Sequence, residues 1–499
     1  MKKLIALLLS AVLAVPMLFA CGETGTQSGE SVPSEEESVD PRTVFVTPQK
    51  DMRGREFRVL CWDFGYGSNS ILGYTGEVLY NEENADKLDS VDTAKKQVID
   101  IVEDRFNCTI GGAKVNDVST VNTVRSQHDS GIAEYDIVFD SPFTTKTLVA
   151  EQLLYNLYDI PTIDLTAPWW DQNSVNDLSL GGKLYFVAGD INTYDNQGTW
   201  CILFNKNLKE SLGVPEDFYQ LVRDDQWNFD KFTEICLRDG YTANTSGDNV
   251  LDEKDQWAFG TESYNMYVHL IAGGQKIAQK DENDMPYLTV SRDPETTVSM
   301  LQKVLDFYRR YDKVMCANFS NYTGKGFQNV WEETVHKAFV DGRELFYMCG
   351  LINVASFRTM KDEFGILPVP KYSPTQDDWH HTVSVQNSTV MSIPIGVENV
   401  EDIGTIVSAL SEESKKYVTP AYYDVQLKYR DAKDAESGEM LDLIFSTRTF
   451  DLGATYNWGG ILGQYMSEST DIASRFDSMI GTAEAELEKT VEAIEEAVK

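Results

Sequence analysis

The spacing of apolar residues changes repeatedly along this chain, and the changes mark out its elements. Residues 57–62 form a short strand-like run that gives out in Asp63-Phe64-Gly65-Tyr66-Gly67, a glycine-rich turn. Over 92–107 the period lengthens to that of a helix, with Ala94, Val98, Ile101 and Val102 on one face. A second strand is predicted near 108–115, a helix through 118–128 and a third strand at 135–140. Strands alternating with helices predict a mainly parallel sheet with helices on its faces. Ligands of such sheets collect at the carboxyl ends of the strands.

The pivot of the pattern is the stretch 181–213. Leu184, Tyr185, Phe186 and Val187 are an apolar run ended by Gly189; a polar linker, 190–199, separates it from a second run at 200–204. Asn205 stands where an N-cap belongs, Leu208 and Leu212 lie one helical turn apart, and Gly213 ends the helix. A strand, a crossing and a return strand with a helix behind it predict that the chain leaves one α/β layer here and begins another. Further on, Val298, Leu301, Leu305, Phe307 and Tyr308 recur as a helix within 296–311, and a shorter helix is predicted around 402–410. A strand and Ser-rich turn over 383–394 predict the return crossing, and Ala483, Leu487, Val491 and Ile494 form one face of a terminal packing helix.

The N-terminus changes the picture by fixing a compartment. Met1-Lys2-Lys3 and the apolar stretch to Phe19 form a signal sequence too short to span a membrane. Leu18-Phe19-Ala20-Cys21 resembles the lipobox of bacterial lipoproteins, with a bulkier residue than usual at Phe19; cleavage before Cys21 and a lipid on its sulfur are expected, an ordinary signal peptide being the other reading. The Gly, Ser, Thr and Glu-rich residues 22–41 cannot bury enough apolar surface to order themselves and read as a leash. The rest of the 499 residues is 42% hydrophobic overall, long enough for two lobes rather than one core. A formal charge of −36 disfavours nucleic acid, anionic lipid and polyanionic glycans as partners. Six cysteines besides Cys21 are scattered singly with no CxxC, so zinc and thioredoxin-like chemistry have no support and buried thiols are expected, with disulfides left open.

Two strand ends, Trp62-Asp63 and Asp140-Ser141, set an aromatic beside hydrogen-bonding groups. A ring covering a sugar's C–H face and acceptors for its hydroxyls are what a neutral sugar needs. The same residues also read as core and helix caps. Residues 244–255 overlie a twelve-residue calcium loop, with Asn244, Ser246, Asp248, Asp252 and Asp255 offering side-chain oxygens and Val250 its carbonyl. Its departures are Asn at the first position, Asn249 at the turn and Asp at the last, and a merely turn-forming loop is the other reading. Asp377-Asp378-Trp379-His380-His381 has no metal-ligand spacing and reads as a solvated loop. Trp169 and Trp170 read as packing beneath the crossing. There is no G-x-S-x-G, HExxH, kinase or P-loop motif, so an enzyme is not expected; a glycosidase pair of carboxylates would nonetheless be invisible among 79 acidic residues.

The segments GKLYFVAGD and LFNKNLKESLGVPED, the block 337–350 and Phe364-Gly365-Ile366-Leu367-Pro368-Val369-Pro370 together resemble the extracellular solute-binding proteins of ABC transporters of the sugar-binding, maltose-binding-protein type. The resemblance runs from about residue 56 to past 442, though the Trp that often follows the block 337–350 is missing. It implies an α/β, type II periplasmic-binding-protein-like fold with a hinge and an interlobe cleft. The implied organisation is a signal peptide over 1–20, lipidated cysteine and tether over 21–50, lobe 1 from 51–189 and 380–440, and lobe 2 from 190–379 and 441–499. The implied protein is a lipid-anchored monomer on the outer face of a bacterial cytoplasmic membrane that hands a neutral oligosaccharide to ABC permease subunits. Trp62, Asp63, Asp140, Ser141, Asp190, Trp200, Arg448 and Trp458 are the expected ligand contacts; calcium in the loop would be structural and no other cofactor is expected. Peptide binding, glycan capture without a transporter and a glycoside-active enzyme are the alternatives.

Overall fold

The predicted strands pair into two sheets of equal size. The computed structural model describes residues 45–62, 76–80, 90–115, 117–423 and 435–496. Its strands are β1 (Arg55–Trp62), β2 (Cys108–Val115), β3 (Ile137–Asp140), β4 (Phe186–Val187), β5 (Trp200–Asn205), β6 (Trp257–Thr261), β7 (Ala278–Lys280), β8 (Pro286–Leu288), β9 (Val314–Cys316), β10 (Glu344–Gly350), β11 (Phe364–Leu367), β12 (His381–Thr382), β13 (Val390–Ser392) and β14 (Arg448–Thr449). One sheet has the order β2-β1-β3-β13-β4 and the other β11-β5-β10-β6-β9.

Each sheet carries one strand that is antiparallel to both its neighbours, and in each it is the first sheet strand after a crossing. β13 opposes β3 and β4, and β5 opposes β10 and β11. A strand arriving from a crossing begins at the edge the two sheets share. Strands antiparallel to it therefore run toward that edge, together with their parallel neighbours β1 and β2 in one sheet and β6 and β9 in the other. The carboxyl ends of both sheets consequently look at each other across the crossings, the arrangement in which α/β sheets take their ligands.

The local signals explain the frame. β1 alternates little because its second half is covered on both faces: Val59, Leu60 and Cys61 are fully buried. Asn205 caps the helix Lys206–Ser211 by accepting Leu208 N–H at 2.8 Å, and Gly213 follows with φ +64°. The helix Ser90–Phe106 packs its apolar face against the helix Val400–Pro420, whose Ile403, Ile406, Val407 and Leu410 are fully buried. That helix is twice the predicted length.

Three expectations are corrected. Of the run Leu184 to Val187 only Phe186–Val187 joins a sheet, because the Leu184 backbone is engaged by the turn at Asn156: its N–H donates to Asn156 Oδ1 and its carbonyl accepts Leu157 N–H. The terminal helix starts at Ile472, well before Ala483, with Asp471 accepting Ser474 N–H at its head. His381 is not in a solvated loop; it is fully buried in β12, its Nδ1 2.7 Å from Thr447 Oγ1, and burial pulls its pKa down to about 3.

Three passes of chain join the sheets. Residues 188–199 lead from β4 to β5 through the short helix Tyr194–Gln197, residues 383–389 lead from β12 to β13, and β14 lies parallel to β12. The first two touch directly, with Thr199 bridging Val383 and Ser384 N–H donating to the Gly198 carbonyl at 2.8 Å. A Cβ on Gly198 would meet the Asn387 carbonyl at 2.6 Å, so glycine is what lets the passes come this close.

Candidate ligand-binding cleft

On the first sheet's carboxyl edge, β1 ends at Trp62, which packs against Tyr194 of the crossing and the half-buried Ile352 just beyond β10. One small apolar cluster thus joins both sheets and the hinge. β3 ends at Asp140, which accepts Ser141 N–H at 2.6 Å. Ser141 caps the helix Pro142–Ala150 by accepting Thr144 N–H. Phe143, in that helix's first turn, donates its N–H to the Val385 carbonyl of the return crossing. Lys146, one turn on, lies 3.7 Å from the Phe143 ring centroid and donates to the Tyr456 carbonyl; burial lowers its pKa to about 8. Asp63 lies outside the described residues, as does Cys21.

The second sheet's edge is built around Trp200. Its indole N–H donates to Asn265 Oδ1, and Asn265 in turn donates to Thr261 Oγ1 and the Met348 carbonyl, each at 2.9 Å. The Trp200 and Tyr264 rings lie 5.0 Å apart at 42°. Gly350, opposite Trp200 in register, leaves room for the indole, and Leu351 N–H donates to the Thr199 carbonyl. Between β6 and the helix Tyr264–Ala272 stands Glu262, partly exposed and with no hydrogen bond or ion pair to a described side chain. Burial alone pushes its carboxyl up to about 7.

Other expected contacts are engaged in holding the hinge and the lobes. Arg448, at the start of β14, pairs with Asp171 and with Asp195 at 2.8 Å and also donates to Asn196 Oδ1. Asp171 is the N-cap of the helix Gln172–Leu178, so the guanidinium ties that helix to the crossing. Asp190 accepts from Lys415 at 2.9 Å and Thr419 at 2.6 Å on the helix Val400–Pro420; burial raises its pKa while Lys415 opposes the rise. Trp458 stacks on Tyr456, ring centroids 5.1 Å apart at 8°, and its indole donates to Thr490 of the terminal helix. Trp169 and Trp170 are buried beneath the crossing, with Asp190 N–H donating to the Trp169 carbonyl.

The loop 244–255 satisfies much of its own oxygen. Asp255 accepts backbone N–H groups from Thr245, Ser246 and Asp252, Asp248 accepts from Val250, and Asn244 accepts from Gly247 while donating to the Val250 carbonyl. Ser246 and Asp252 complete the expected set, the latter accepting from Lys254. The six cysteines other than Cys21 are free and buried.

Sequence reading overlooked Glu77, Tyr194, Glu262, Tyr264 and Asn265. Glu77 accepts Thr193 and Tyr194 N–H and the Thr193 and Thr389 hydroxyls, locking the first crossing to the second. Glu262 follows the apolar run Trp257 to Gly260, so the criterion that singled out Asp140, a carboxylate where a strand gives out, fits it as well.

No protein-family model matches the chain, and no curated protein matches it in sequence. Solved structures do match its fold. A cyclo/maltodextrin-binding protein, solved with maltotetraose, has a TM-score of 0.54 at 10% identity, covering 90% of this chain and 99% of its own. UspC of M. tuberculosis gives 0.55 at 13% identity over 86% of this chain and 99% of its own. UgpB of Mycobacterium tuberculosis, solved with glycerophosphocholine, gives 0.52 at 15% identity over 88% and 99%. At such identities the likeness is one of fold: two lobes of the type II periplasmic-binding-protein-like kind, as the sequence resemblance implied.

Proposed function

We propose that this chain is the solute-capturing component of an ABC importer, binding a carbohydrate between its two lobes and presenting it to permease subunits. The observation that carries the reading is the opposed pair of sheet edges, where the Trp62 cluster faces a Trp200–Tyr264 pair beside a carboxylate without a partner. Apolar rings with a few polar groups converging on them are the usual lining of a small-molecule cleft. The cyclo/maltodextrin-binding protein of the same fold, solved with maltotetraose, supports carbohydrate as the class. In this reading Cys21 carries a lipid that holds a monomer at the outer face of the cytoplasmic membrane. No helix among the described residues is long and apolar enough to cross a membrane.

Thermal unfolding of the purified protein against mono- and oligosaccharides, short peptides and choline esters tests the reading. Binding only to the folded state raises the melting temperature by an amount that grows with ligand concentration. A saccharide-specific rise without product formation is expected. A rise with peptides alone would replace carbohydrate by peptide, and turnover of a glycoside would replace binding by catalysis.

A further inference from the structure

Two carboxylates of the second sheet have no partner among the described residues, and they differ in access. Glu344 is fully buried at the amino end of β10, packed over Gly260, and burial raises its pKa far above the ordinary range, so it is held as the neutral acid. Glu262 stands at the other end, where β6 meets the cleft, and is partly exposed. Its charge reaches Tyr308 and Cys316 as well as Tyr347 and Cys349, which places the carboxylate over the edge of β6 between β9 and β10. None of these four groups is a cation.

The described cations near the cleft are committed elsewhere. Arg448 is held by Asp171 and Asp195, and Lys146 by the Tyr456 carbonyl. On the facing sheet edge stands a second acid, Asp140. When the lobes close on a ligand, water leaves and Glu262 must either be neutralised or be hydrogen-bonded by what replaces the water. Hydroxyls of a neutral sugar supply hydrogen bonds and leave the charge. An ammonium group supplies hydrogen bonds and cancels it, and the Trp200 and Tyr264 rings, two residues away in sequence on the Tyr264 side, present the aromatic faces that cations favour. A chain of formal charge −36 also draws cations toward its clefts.

We propose that the cleft takes a ligand bearing a protonated amine, with Glu262 as its counter-ion and the Trp200–Tyr264 pair as its aromatic wall. Resting on the carbohydrate reading above, the class is an oligosaccharide containing unacetylated amino sugar, which replaces the neutral sugar expected from sequence.

Titration calorimetry of the full chain at low salt and near-neutral pH tests this with glucosamine oligomers, their N-acetylated counterparts, neutral gluco-oligosaccharides and choline chloride. Glucosamine oligomers are expected to bind at least about tenfold more tightly than the acetylated ones, and Glu262→Gln to abolish that preference while keeping the wild-type melting temperature or raising it. Equal affinity for the two oligomers in the wild-type protein, a comparison that needs no variant to fold, overturns the proposal and leaves the carbohydrate reading standing. A preference that survives in Glu262→Gln overturns the assignment to Glu262. Binding of choline alone, lost in Glu262→Gln, supports the ammonium site and removes the carbohydrate. No binding of any of the four overturns both.

Discussion

The hinge and the cleft edge of the second sheet use the same kinds of residue for opposite ends. In the hinge, Asp171 and Asp195 share Arg448, Asp190 has Lys415 and Thr419, and Glu77 is ringed by four donors from the two crossings. At the cleft edge, Glu262 is left with none of these although Trp200 and Asn265 beside it are fully engaged. A buried acid surrounded by its own donors is part of the scaffold. An acid at a strand end that the scaffold leaves unpaired is available to a ligand.

Removing the hinge cation breaks this contrast most severely. Arg448→Met would leave Asp171 and Asp195 buried without their counter-charge, and stability is expected to fall by about 3–5 kcal/mol, the range for stripping one partner from a buried pair. Chemical denaturation measures it. A loss under about 1 kcal/mol would mean water reaches both carboxylates, and the hinge would no longer differ from the cleft. The loss should shrink in acid, where protonated aspartates need no partner.

The cleft carboxylate should show the reverse sign. Its folded-state pKa stands at about 7 against an ordinary 4.5. Between those values the folded protein binds more protons than the unfolded chain, so wild-type stability falls as pH rises through about 4.5 to 7 and levels off above it. Glu262→Gln lacks that fall. At alkaline pH it is expected to be about 1–3 kcal/mol more stable than wild type, less than the full shift because the side chain is partly exposed. At acid pH the two should coincide. Parallel stability curves for wild type and Glu262→Gln across this window would show that a partner already holds the carboxylate.

How far each region could be read from sequence follows from what each depends on. The frame was legible because it rests on local periodicity and caps: β1, β2, β5, the Asn205 cap and the two crossings stand where the apolar pattern put them. Arg448, Asp190 and Trp458 were expected in the cleft because residue type alone says that they can bind something. Their partners Asp171, Lys415 and Thr490 are distant in sequence, and no spacing announces such pairs. Glu262 was missed for the complementary reason. Being unpaired is a property of everything around a residue, and the sequence shows only that a strand ends there. His381 misled through its neighbours, since two aspartates and a second histidine hide a side chain that Thr447 and the β12–β14 pairing draw inside.

The smallest expected effect concerns the two tryptophans. Trp458 has the flat stack and hydrogen-bonded indole of a sugar platform, yet its stack is Tyr456 and its acceptor is Thr490, so both of its recognition features are spent within the protein. Trp458→Phe keeps most of the ring and loses one hydrogen bond, a cost of about 1 kcal/mol in denaturant unfolding. Ligand affinity by calorimetry should change less than about twofold, whereas Trp200→Ala, which strips the wall beside Glu262, should weaken it by tenfold or more. If Trp458→Phe weakened binding as much as Trp200→Ala, an indole already satisfied inside the protein would be contributing to recognition, and having no partner would no longer distinguish the cleft from the scaffold that holds it.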